Sequence, residues 1–201
     1  MYSHKGGFDK KETNRYPDGS YDIITVSSEG MCKKNFYPNK NLSFSGKWRF
    51  GNPIETHTSY FENGQKEWET RHNGEGNLHG LQKIWFSDGT LKSEQFRNDG
   101  HLVGTSQWFY PNGNIEGERT YGIEGEGSCN VKSYDREGNG VLMYEFSIIK
   151  SKSKSGDTST KSTQVKHGWE NWYQKDGTLN ASKLWNDGKL YKCGRINGKV
   201  E

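Results

Sequence analysis

WFSDGTL at residues 85–91 and YQKDGTL at residues 173–179 write the same short phrase twice, 88 residues apart. The match runs past the turn: His79-Gly80 recurs as His167-Gly168, Asn98-Asp99-Gly100 as Asn186-Asp187-Gly188, and Leu102 as Leu190. Self-similarity at a fixed offset is the mark of a repeat architecture, and it governs the reading of every other residue. The turn glycine falls at Gly64, Gly89, Gly113 and Gly138, at intervals of 25, 24 and 25 residues, in the settings FENG, FSDG, YPNG and DREG. Earlier copies are Tyr16-Pro17-Asp18-Gly19 and the degenerate Tyr37-Pro38-Asn39-Lys40, and the last is at Gly177, which makes about seven units.

Four positions before each turn residue stand Arg15, Phe36, Tyr60, Trp85, Phe109, Tyr134 and Tyr173, so six of the seven are aromatic. A unit of about 24 residues accommodates two strands of about six residues, one tight turn and one looser return, which is a β-hairpin with its connection. A lone hairpin is marginal in water, whereas stacked hairpins share hydrogen bonds and place equivalent side chains in ladders. The reading is therefore all-β: an elongated antiparallel sheet of about seven stacked hairpins.

Composition agrees. Leu, Ile, Val and Phe number only 33 of 201 residues, and 27 aromatics outnumber the 24 Leu, Ile and Val, so the chain folds without a thick aliphatic core. Twenty-six glycines against four prolines, many in Asn-Gly and Asp-Gly pairs, suit turns that need positive φ. Cys32, Cys129 and Cys193 are odd in number and widely spaced, which argues against a disulfide framework or a zinc ribbon and for a reducing, cytoplasmic setting. No apolar run approaches the roughly 20 residues that cross a bilayer, and the polar start MYSHKGGFDKKE lacks a signal-peptide core.

Between turns a second signature recurs, in Asn77-Leu78-His79-Gly80, Asn98-Asp99-Gly100-His101-Leu102-Val103-Gly104 and Asn186-Asp187-Gly188-Lys189-Leu190. The combined pattern resembles the MORN-type repeat, in the bacterial variant of the YwqK-family, antitoxin-like proteins, over roughly residues 55–125 and 167–192. It departs from the eukaryotic MORN form, whose Tyr-x-Gly-x-Trp core is not strictly kept. The resemblance implies a repeat scaffold whose partner is another protein, a toxin or effector. Four segments follow: degenerate N-terminal repeats or cap at 1–50, central repeats at 51–149, a low-complexity basic insertion at 150–166, and a C-terminal repeat and cap at 167–201. The insertion, five lysines among Ser and Thr, delays the last turn by about 15 residues and reads as a loop or a basic arm.

Enzymatic chemistry finds little purchase. His4, His57, His72, His79, His101 and His167 are scattered, with none at metal-ligand spacing, and His79 and His167 share one repeat position, which suits packing better than catalysis. The stretch from Gly122 to Cys129 lacks the GxxxxGK[ST] ending of a phosphate loop. No catalytic residue, metal site or cofactor is expected. The surface carries the interest. Glu69, Glu94 and Glu118 each stand five after a turn glycine and predict an acidic row, facing a basic partner or neutralised by Lys66, Lys83, Lys92 and Arg119. Phe61, Phe86 and Tyr110, three before the turn, and Trp108 and Trp172, five before it, lie opposite the recurring stripe. Either the sheet hides both faces, or one remains as a protein-binding patch. The expected function is a non-catalytic scaffold that binds and neutralises a partner protein. An anionic membrane surface is the second class of partner. Carbohydrate or nucleic acid is the third, disfavoured for nucleic acid by a net charge of only +3.

Overall fold

The computed structural model describes residues 10–121, 129–137, 142–151 and 163–195. Within them there is no helix, and fifteen strands follow one another in chain order, with antiparallel ladders between sequence neighbours. The expected fold class is present. The strands group into two compact units, Met1–Leu91 with Arg97–Gly100, and Lys92–Phe96 with His101–Glu201.

The first unit holds β1 (Lys10–Arg15), β2 (Tyr21–Ser27), β3 (Gly30–Phe36), β4 (Leu42–Arg49), β5 (Asn52–Tyr60), β6 (Lys66–His72) and β7 (Gly80–Trp85). β8 (Leu91–Asn98) is divided between the units. The second holds β9 (His101–Phe109), β10 (Ile115–Tyr121), β11 (Cys129–Tyr134), β12 (Leu142–Ser151), β13 (Thr163–Tyr173), β14 (Leu179–Asn186) and β15 (Lys189–Arg195). The phosphate-loop-like residues 122–128, the turn at Gly138 and residues 152–162 of the basic insertion lie outside the described residues. The strands flanking that insertion pair up to Ser151 and Thr163.

Among the described residues the repeated phrase builds one turn. In Phe61-Glu62-Asn63-Gly64-Gln65 the Gly64 N–H donates to Phe61 C=O at 2.8 Å, and the Phe61 N–H to Gln65 C=O at 2.8 Å. This is a three-residue hairpin loop, a type I turn closed by a left-handed residue. Gly64 has φ 86°, Gly89 89° and Gly177 81°, and in the degenerate copy Lys40 takes the same conformation at 71°. The Asn or Asp before the glycine accepts the N–H two residues on, as in Asp88 Oδ1 from Thr90 at 2.8 Å and Asp176 Oδ1 from Thr178 at 2.9 Å. Asp88 and Asp176 are turn residues. The return turns Asn98–His101 and Asn186–Lys189 are two-residue loops with positive φ at both centres, 48° and 86° at Asp99-Gly100 and 46° and 77° at Asp187-Gly188. That is the type I′ turn that Asn-Asp-Gly favours.

After the tight turns at Lys40, Gly64, Gly113 and Gly177 the register slips by one residue, so the recurring aromatic pairs with the residue two past the turn, whereas Arg15 and Tyr21 pair with no slip. Phe36 stands opposite Leu42, Tyr60 opposite Lys66, Phe109 opposite Ile115 and Tyr173 opposite Leu179; Tyr134, also beside a register shift, stands opposite Leu142. On the other face of the first unit, Asn14, Asp22, Asn35, Phe44, Ser59, Trp68 and Ile84 stand opposite one another from β1 to β7. The second unit has its own row of Trp108, Gly117, Ser133, Tyr144, Trp172, Ala181 and Arg195 from β9 to β15. Rings and small residues share these rows, with Ser59 between Phe44 and Trp68 in the first and Tyr144 directly against Trp172 in the second. Around Phe44 the rings of Trp48, His57 and Trp68 close in at 5.8 to 5.9 Å, and a Cβ on Gly46 would meet three of these rings at 2.9 Å. Among the described residues Ile54 is the one large apolar side chain that is fully buried.

Candidate functional site

The turns are laced to their neighbours one repeat away. Asn39 Nδ2 donates to Glu62 C=O at 3.1 Å, Asn63 Nδ2 to Ser87 C=O at 2.7 Å, and Asn112 Nδ2 to Arg136 C=O at 2.9 Å. The tyrosine at the start of the turn does the same, Tyr37 to Tyr60 C=O at 2.8 Å and Tyr110 to Tyr134 C=O at 3.1 Å. The recurring histidine is explained by the same logic. His79 Nδ1 lies 3.2 Å from Asp99 Oδ1 while the Gly100 N–H donates to Leu78 C=O; in the second unit His167 Nδ1 accepts from the Asp187 N–H at 3.4 Å while Gly188 donates to Lys166 C=O.

All eight residues expected at a partner surface are half-buried, three in the first unit and five in the second. Phe61 and Phe86 open their tight turns, each accepting the glycine N–H. Tyr110 also carries the Arg136 guanidinium over its ring at 6.0 Å. Trp172 leans on Tyr144 at 5.4 Å, with Lys183 Nζ 5.2 Å from its centroid. Trp108 stands opposite Gly117, whereas Glu118 stands opposite Gln107, so these two occupy opposite faces of the second unit. The eight do not form one patch.

The glutamates are tied into the sheet. Glu69 stands between Thr58 and Lys83 across the strands and takes an ion pair from Lys66 at 2.5 Å; Glu94 lies in β8. Glu118 stands between Gln107 and Lys132 and accepts from Gln107 at 3.2 Å, from Tyr134 at 3.0 Å and from Lys132 at 3.3 Å. Arg119, expected to help neutralise it, lies instead on the opposite face, over the Tyr121 ring at 5.2 Å. Burial is the strongest single influence on the Glu118 carboxyl and pushes its pKa up, but the three donors together outweigh it and hold the group below its usual range. For Tyr134, burial and then the bond to Glu118 push the phenol up to about 12. Glu145 repeats the arrangement, accepting from Asn171 at 2.9 Å and from Tyr173. The recurring tyrosine thus clamps the previous hairpin's glutamate.

Two buried carboxylates on the opposite faces carry partners that sequence spacing does not reveal. Asp22, 2% exposed, accepts from Asn14 at 2.8 Å and Tyr16 at 2.9 Å and pairs with Lys33 at 3.2 Å. Glu170, also 2% exposed, accepts from Tyr144, Lys166 and, at 2.6 Å, the Trp185 indole. In both, desolvation is the largest influence and opposes ionisation, and the donors reverse it so that the carboxyl titrates low.

The return-turn end of the first unit was not singled out by sequence. Val26, Met31 and Trp48 stand opposite one another there and line a groove of about 540 Å³ with Arg49 and Phe50. Phe50 is 98% exposed and left-handed, with φ 51°. Its signal in the sequence is Phe-Gly in a two-residue turn, where Asn-Gly is the comfortable choice. Among the described residues no group of three His, Cys, Asp or Glu is placed to hold a metal.

Residues 78–99 and 102–121 match the family model of the MORN repeat variant. The two matches fall on the hairpins built around Gly89 and Gly113. MORN repeats are modules that bind proteins or membrane lipids. Among curated proteins, none matches the chain.

Proposed function

We propose that the chain is a non-catalytic repeat scaffold that recognises a partner protein and neutralises it, as an antitoxin, immunity protein or inhibitor does, in the cytoplasm. One observation carries this reading: among the described residues only Ile54 of the large apolar side chains is fully buried, while Tyr16, Val26, Phe50, Ile84, Phe96, Trp169 and Tyr191 stay between 42% and 98% exposed. Exposed aromatic and aliphatic residues set among charges are the composition of interface cores awaiting a partner. The MORN-variant match over two hairpins supports a binding module, and the antitoxin-like character belongs to the finer YwqK resemblance.

The test is capture followed by titration. Immobilised full-length chain is exposed to native lysate, the recovered protein is purified, and its own activity is titrated with free chain. The reading expects inhibition that saturates at a fixed stoichiometry. Capture without inhibition sinks the neutralising role, and no stoichiometric capture under several conditions sinks the scaffold role.

A second reading is favoured by Phe50, whose bare ring beside Arg49 and an apolar groove suits insertion into an anionic membrane surface. Flotation with phosphatidylserine vesicles at low salt tests it, since electrostatic attachment is strongest there. Absence of flotation removes it.

A further inference from the structure

The first four strands separate their charge by face. Alternation and register place Lys10, Glu12, Asp22 and Lys33 on the face of Phe44 and Trp48. There the charges cancel, Lys10 with Glu12 at 2.5 Å and Lys33 with Asp22 at 3.2 Å. The opposite face carries Lys11, Arg15, Lys34, Lys47 and Arg49 and no carboxylate from β1 to β4, because Glu12 and Asp22 are the only acids in those strands. Lys47 is bonded to Glu55 of β5, whereas no carboxylate of the described residues pairs with Lys11, Arg15 or Lys34. Between the cations lie hydroxyls: Thr13, Thr25 and Ser45 complete the cross-strand rows.

Lysine on an edge strand ordinarily guards against unwanted pairing. That explains Lys11, but Lys34 and Lys47 lie on β3 and β4, inside the sheet, where there is no edge to guard. A cationic face that continues inward from an open edge is complementary to something acidic. β1 is the first strand of the sheet and all six of its residues are exposed, so one side of its backbone is available for pairing among the described residues.

We propose that an acidic segment of a partner protein adds as a strand beside β1, with its carboxylates facing Lys11 and Arg15 and with Lys34 strengthening the positive field behind them; this rests on the protein-binding reading. Main-chain pairing at the edge supplies affinity, and the charges select the partner. Single-stranded nucleic acid fits less well. The Tyr21 and Phe36 rings stack on each other at 4.6 Å with planes 6° apart, and Arg15 covers Tyr21, so the pair offers no open platform to a base. A membrane would use the charge but not the strand edge.

The experiment is fluorescence anisotropy with the full-length chain and four probes: a peptide of alternating Glu and Thr, its Lys and Thr counterpart, a single-stranded DNA oligonucleotide, and phosphatidylserine vesicles. The Glu/Thr peptide is expected to bind best, to weaken at least about tenfold at high salt, and to slow amide hydrogen exchange along β1. The double variant Lys11→Glu/Lys34→Glu is expected to lose at least about tenfold in affinity. The double variant Lys40→Glu/Lys175→Glu, with the same change of net charge at two exposed tight-turn positions, is expected to keep it. Preference for DNA or vesicles, equal loss in the two variants, or unchanged exchange in β1 each overturns the proposal. Circular dichroism of both variants confirms folding. A native partner that is still captured and inhibited normally by Lys11→Glu/Lys34→Glu overturns this site while leaving the scaffold reading standing.

Discussion

Tyr134→Phe removes one hydroxyl and leaves the ring in place opposite Leu142. That hydroxyl donates at 3.0 Å to Glu118, a carboxylate whose side chain is 18% exposed and which keeps Gln107 and Lys132 as further donors. Hydrogen bonds to charged groups contribute about 1.5–3 kcal/mol, and with two donors remaining the low end applies, about 1.5 kcal/mol at neutral pH. The sign with pH follows from the depressed Glu118 pKa. Its contribution is present above the unfolded glutamate value of roughly 4.3 and fades as pH falls through the lower folded value. Tyr134, at about 12, stays protonated throughout this window. The deficit of Tyr134→Phe should therefore shrink on acidification to that of a neutral bond, about 1 kcal/mol or less. Urea unfolding of wild type and variant, followed by tryptophan fluorescence at about pH 7 and at a pH low enough to protonate Glu118, measures it, read as the shift of the same transition because two compact units need not unfold together. Tyr110→Phe is the control: its hydroxyl donates at 3.1 Å to a backbone carbonyl, so its deficit should not change with pH. A Tyr134→Phe deficit below about 0.3 kcal/mol at neutral pH, or one equal at both pH values, would refute the clamp.

Three further outcomes are expected. Gly113 has φ 84° and nothing within 4 Å of an added methyl, so Gly113→Ala costs backbone strain alone, about 1 kcal/mol, and Gly113→Asn less; equal losses in thermal melts would count against the left-handed turn. Phe50→Asn should stabilise the first unit by roughly 0.5–1 kcal/mol, because a bulky residue at φ 51° with 98% exposure gives little packing in return for its strain; an unchanged urea midpoint would contradict this. Bonds from the Thr90 N–H, and then its hydroxyl, hold the Asp88 carboxyl below its usual range, so wild type loses this turn bond as pH falls through the folded value. Asp88→Asn, an acceptor at any pH, should flatten that dependence of the Thr90 amide in NMR, and Asp88→Ala should abolish the bond at all pH values.

The tight turns were legible in the sequence because their cause is local. Asn-Gly and Asp-Gly need no distant partner to favour a left-handed turn, so each copy announces itself and the spacing between copies gives the period. The second signature was legible as a recurrence but not as a device: that His79 meets Asp99 depends on two connections lying side by side. The candidate surface was the least legible part. Glu69, Glu94 and Glu118 share a repeat position, yet each repeat contributes two strands, so what stands beside a glutamate is a residue of the intervening strand, Lys83 for Glu69 and Lys132 for Glu118.

The sequence by itself determined an all-β chain of repeated hairpins, the places of its turns and the stripe of aromatics four before each, since period and turn chemistry are written in neighbouring residues. Only the tertiary structure decided which side chains share a face. Register slips beside Phe36, Tyr60, Phe109, Tyr134 and Tyr173 set what stands opposite those aromatics, and the ladder sorts Lys11, Arg15, Lys34 and Lys47 to one side while Glu12 and Asp22 pair off on the other. Such sorting depends on pairing between strands, which composition and spacing along one chain do not encode.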